Sequence, residues 1–111
     1  MRGIAFAFSL VLVGCGGSEQ GPVSPDASAV AYGGGNGSDC ETAIVIQGAR
    51  NEQEGVLAEY SWLNKHIPGA EVQKQALIEC KGRPADRLTI TTSNGETRQV
   101  FFDINDFFGK L

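Results

Sequence analysis

Residues 87–104 read RLTITTSNGETRQVFFDI. Two runs in which apolar and polar residues alternate flank Ser93-Asn94-Gly95, the pattern of a β-hairpin. The length of its loop decides which side chains share a face. A two-residue loop at Asn94-Gly95 pairs Leu88 with Phe101 and puts Val100 and Phe102 on the face opposite Leu88 and Ile90. A three-residue loop, with Gly95 left-handed, shifts the register by one and gathers Leu88, Ile90, Val100, Phe102 and Ile104 on one face. Burial selects the second register, and the apolar face it creates needs a cover.

The cover is upstream. Residues 43–46 form a short apolar run readable as a strand, and residues 47–50 turn. Asn51 has the make-up of a helix N-cap with Glu54 at the third helical position, and Pro68-Gly69 stops the helix near residue 67. At about 100° per residue, Val56, Tyr60, Leu63 and Ile67 form one stripe, the expected core face. Gly55 weakens this helix. Residues 71–80, 87–92 and 97–104 read as three further strands, with a turn at Lys81-Gly82-Arg83-Pro84. Val72, Ala76 and Ile78 are expected on the face that carries Leu88.

At the other end of the chain, Met1-Arg2 precedes an apolar run from Ile4 to Val13, followed by Leu12-Val13-Gly14-Cys15. The run has the length of a signal-peptide apolar region and is too short to span a bilayer. Residues 1–15 resemble the signal peptide and lipobox of bacterial lipoproteins. The resemblance implies cleavage after residue 14 and acylation of Cys15, whose chains then hold the product at a membrane. It also implies an address in the cell envelope. With Gly16 and not Asp after the cysteine, that address is the outer membrane, facing the periplasm, in a diderm bacterium. Residues 15–38, rich in Gly, Ser and Pro, read as a flexible tether with a reach of about 26 Å. The Gly-rich run at 33–37 lacks the preceding strand and following helix of a phosphate-binding loop. One small domain remains, residues 39–111.

A domain this short has a thin core and commonly needs a covalent staple. Of the three cysteines, Cys15 is assigned to lipid, which leaves Cys40 and Cys80 for a disulfide in an oxidising compartment. In a simple βαβ unit the first two strands run parallel and the two cysteines fall at opposite ends. The bridge therefore favours a small antiparallel sheet with one helix across a face, a β-α-β-β-β roll ending in a short helical turn. This α+β arrangement resembles the cystatins in architecture. The Gln-x-Val-x-Gly segment of cystatins is absent, so their inhibitory function is not carried over.

Chemistry is sparse. The net charge of −4, with acids and bases interleaved, argues against nucleic acid as a partner. His66, the one histidine, sits near the helix C-terminus, where the helix dipole favours a cation, and Ser61 and Glu59 form no triad with it. Residues 103–106 begin like a calcium loop, but Phe108 stands where that loop needs glycine. No metal, cofactor or catalytic residue is assigned, and the chain is not read as an enzyme. On the helical wheel Trp62 falls outside the apolar stripe, beside Glu59, Lys65 and His66. Leu77 and Phe101 are expected on the sheet's other face, near Phe107 and Phe108. These aromatics and their polar rim are the candidate partner-binding residues. The reading is a lipid-anchored envelope module acting by protein–protein contact, as an inhibitor or immunity protein or as a small subunit of an envelope complex. The alternative is a small envelope enzyme or ligand-binding protein using the sheet face or His66.

Overall fold

The computed structural model describes residues 30–111; the lipobox, Cys15 and the tether up to residue 29 lie outside the described residues. The elements are β1 (Ala31–Gly34), β2 (Ile44–Gln47), α1 (Glu52–His66), β3 (Glu71–Cys80), β4 (Arg83–Thr91) and β5 (Thr97–Asp103). They make an α+β fold with a five-stranded sheet in the order β1-β2-β5-β4-β3. Among the described residues no helix is long and apolar enough to cross a membrane.

The hairpin has the three-residue loop. Leu88 pairs with Val100 and Thr91 with Thr97, the Thr92 amide donates to the Glu96 carbonyl at 2.8 Å, and Gly95 is left-handed at φ 90°. Leu88, Ile90, Val100, Phe102 and Ile104 are all buried in one cluster. The helix begins as its residues require. Asn51 caps it by accepting from the Glu54 amide at 2.9 Å, and the Glu54 carboxylate accepts from the Arg50 amide and guanidinium. That Arg50 pairing holds the Glu54 carboxyl below its ordinary range.

Three expectations are corrected. The sheet is mixed: β2 runs parallel to β5, with Ile44 opposite Phe102. The part of the tether beyond residue 30 is structured, since β1 pairs antiparallel with β2 and the Tyr32 hydroxyl donates to the Ala58 carbonyl at 2.8 Å. Third, β4 begins at Arg83, four residues earlier than expected. The turn is only Lys81-Gly82, both at positive φ. Pro84 is tolerated in this inner strand because Asp103, the last residue of β5, pairs with Ala85. Its missing N–H leaves no acceptor unpaired, because the Ile104 carbonyl accepts from the Phe107 and Phe108 amides instead, while the Pro84 carbonyl accepts from the Ile104 amide at 3.1 Å.

Cys40 and Cys80 are disulfide-bonded, with Cα atoms 5.3 Å apart. The bridge forms although β2 and β3 run in the same direction and are not neighbours. Cys40 belongs to the loop before β2, not to the strand. In that loop the Gly37 carbonyl accepts from the Phe101 amide, and Glu41 stands 3.4 Å from Lys81. Cys80, Ile78, Ala85 and Phe101 share one face by register, so the staple closes the face opposite the helix.

Candidate functional site

The helix presents a different face from the expected one. Gly55, Ala58, Glu59 and Leu63 are buried and Trp62 packs against the core, whereas Tyr60 is exposed and Leu57 is 61% exposed. The helix is turned by roughly 100° from the expected stripe. Gly55 is the reason. A methyl group there would lie 2.2 Å from the ring of Phe107, so the glycine is the space into which that ring fits. Phe107 is fully buried, and the turn that carries it is tied to the helix start: the Gly109 amide donates to Glu52 Oε2 at 2.6 Å and the Glu52 amide to the Lys110 carbonyl at 2.9 Å.

This rotation corrects the outward reading of Trp62, Glu59 and Phe107. The Trp62 indole meets Phe102 edge-on, with ring centroids 5.8 Å apart. On its other side His66 stacks at 4.3 Å and 14°, held by a 3.1 Å bond between Nδ1 and the Trp62 carbonyl. The imidazole is a lid on the indole. Lys65 is exposed beside it.

Beneath the helix lies a pair of carboxyl groups. Glu59 is 0% exposed, and among the described residues neither of its oxygens has a donor to bond. Its neighbour is Asp86 of β4, itself buried and accepting from Gln75 Nε2 at 3.2 Å. Two carboxylates cannot bond one another, so one must hold a proton. Burial first, then hydrogen bonding to Asp86 and repulsion by its charge, push the Glu59 pKa up to about 10. Glu59 is therefore a neutral acid at pH 7 and the donor of the pair. The motif is internal and offers no path to a substrate, and among the described residues no three His, Cys, Asp or Glu side chains gather as a metal site.

Besides those on the helix, an exposed apolar pair lies at β3. The register of β3 against β4 shifts between Val72 and Lys74, a bulge that moves every later side chain of β3 to the other face. Ala76 and Ile78, expected on the core face, therefore lie opposite it. Leu77 is separated from Phe101: Leu77 pairs with Asp86 on the helix side, while Phe101 pairs with Arg87 on the far side, half-buried. Leu77 is left 59% and Phe108 47% exposed. They border a shallow open depression with Pro84 and Asn105.

Compared with family models, with curated proteins and with solved structures, the chain matches none of them. Its function has to be argued from these two places alone: the carboxyl pair, which belongs to the interior, and the edge of β3, which faces outward.

Proposed function

We propose that this chain is a lipid-anchored binding module of the cell envelope, a cystatin-like roll in outline, that works by protein–protein contact. The anchor is Cys15 and the contact surface is the free edge of β3. One observation carries this reading. β3 is ten residues long, among the described residues it ends the sheet and pairs only with β4, and its exposed Leu77 sits beside exposed Phe108. A long edge strand with open backbone groups is a template for an added strand, and adjacent apolar side chains supply the specificity of such pairing. Lys65 and His66, in the last turn of the helix, serve as rim residues, and His66 is committed to Trp62.

The test is a photo-crosslinking side chain placed at position 77 of the full chain in intact cells, with position 57 as the control. Leu57 is equally exposed and apolar but sits on the outer helix face. Adducts to protein from 77 and not from 57 support the reading. Equal yields at both positions sink it. For the anchor, Cys15→Ser should abolish labelling by a fatty-acid probe, and labelling that persists in the variant removes the membrane part of the proposal.

A further inference from the structure

We infer that the strand taken up by β3 is β3 of a second copy of this chain, the two copies joining edge to edge into one continuous sheet about a two-fold axis at Leu77. This rests on the reading of the β3 edge as the contact surface, and it names the partner.

The hydrogen-bond phase of β3 comes first. The two-residue turn Lys81-Gly82 makes Cys80 and Arg83 the closing pair of the hairpin, and such a pair exchanges both backbone bonds. Alternation then directs the backbone groups of Cys80, Ile78 and Ala76 toward β4. Those of Glu79, Leu77 and Gln75 point to the free edge. A two-fold axis normal to the sheet pairs odd-numbered residues with odd-numbered ones, which brings together the three that have backbone groups to offer.

The register follows from the bulge. Because the β3–β4 ladder is irregular only between Val72 and Lys74, the regular stretch is residues 74–80, and its middle residue is Leu77. Pairing centred there sets Leu77 against Leu77, Gln75 against Glu79 and, on the far face, Ala76 against Ile78. Apolar meets apolar, an amide donor meets a carboxylate, and no like charges are opposed. Moving the register by one pair in either direction puts Leu77 opposite Gln75 or Glu79 instead. In the centred register the two exposed leucines cover each other, flanked by the Phe108 of each copy. The same patch serves both partners, as a closed two-fold contact requires. Lipid anchoring adds to this, because tethering both copies to one surface raises the effective concentration for a weak edge contact.

The register is tested with the full chain in membranes by mixing two single variants, Ala76→Cys and Ile78→Cys. In the centred register these positions form a non-hydrogen-bonded pair with Cα atoms about 4.5 Å apart, within reach of a disulfide. Oxidation should link Ala76→Cys copies to Ile78→Cys copies and neither variant to itself. Efficient linking of Ala76→Cys to itself overturns the register. Leu77→Lys, at an exposed site, should keep the native circular dichroism and weaken self-association about tenfold or more, since two ammonium groups would then meet on the axis. A chain that sediments as a monomer with unchanged mass in both forms overturns the inference. If position 77 nevertheless crosslinks to a different protein, the contact reading stands without self-pairing; if it crosslinks to nothing, both fall.

Discussion

Glu59 of the helix and Asp86 of β4 are neighbouring buried carboxyl groups, and burial beside Asp86 keeps Glu59 protonated. Asp86 takes a hydrogen bond from Gln75, while Glu59 has no donor of its own and keeps its proton, with a pKa raised to about 10 from 4.5. In the unfolded chain Glu59 ionises at its ordinary value. Between pH 4.5 and 10 the folded state thus binds one proton more than the unfolded state, and stability falls as pH rises. Each unit in that window lowers the folding equilibrium about tenfold through this group. Glu59→Gln keeps the site neutral and supplies an amide donor for Asp86. It should gain about 3 kcal/mol at pH 7, and the gain should vanish near pH 4. Urea unfolding of both proteins across pH 4 to 9 measures this. A difference that does not change with pH would mean that Glu59 is ionised in the fold.

Gly55 in mid-helix is unfavourable by about 1 kcal/mol relative to alanine on propensity alone. In this fold the ring of Phe107 occupies the volume that a side chain would need, 2.2 Å from an added methyl group. Gly55→Ala should therefore destabilise, by about 1 to 3 kcal/mol, through overpacking. Combining it with Phe107→Leu should recover part of the loss. Thermal or denaturant melts of the single and double variants decide this, and a Gly55→Ala protein more stable than the parent would remove Phe107 as the reason for the glycine.

The hairpin register is legible in residues 87–104 because only one loop length buries all five apolar side chains. The helix limits are legible too, from Asn51 and Pro68. Its rotation is not, because the stripe of Val56, Tyr60, Leu63 and Ile67 is a sound apolar face by spacing alone. What overrides it is Phe107, more than fifty residues away in the chain, docking at Gly55, and no periodicity within the helix encodes that. The bulge after Val72 is equally silent in sequence, and it alone reverses Ala76, Leu77 and Ile78. Asp86 is the instructive case. It sits two residues before Leu88 in the same alternation, so extending β4 back to Arg83 places it inward. Reading Pro84 as a turn residue hides it.

The bridge between Cys40 and Cys80 closes forty residues of sequence, enough to constrain the unfolded chain strongly. Cys80→Ala should lower stability by about 2 to 5 kcal/mol. Neither thiol should react with an alkylating reagent until reductant is added. The loss should concentrate in the loop before β2, whose hold on the hairpin end would shrink to the exposed pair of Glu41 with Lys81. Hydrogen exchange of the Phe101 amide, bonded to the Gly37 carbonyl, reports on that loop. An unchanged exchange rate in Cys80→Ala would show that the loop is held without the staple.

Trp62 joins the core to the surface, with Phe102 on one side of the indole and His66 on the other. The arrangement gives the tryptophan a structural duty, so Trp62→Ala should lower stability by about 2 to 4 kcal/mol, as for loss of a large ring from a partly covered site. His66→Ala removes only the outer stack, which is worth about 0.5 to 1.5 kcal/mol. Because the imidazole acts through the indole, the two losses should not add. The double variant should fall short of the sum by nearly the whole His66 increment, and a denaturant-unfolding cycle on the four proteins measures that coupling. Binding at the β3 edge, on the opposite border of the sheet from β1 and β2, should be the same in His66→Ala as in the parent. Additive losses would mean that the stack contributes nothing to the fold, and a binding defect in His66→Ala would return this end of the helix to the contact surface.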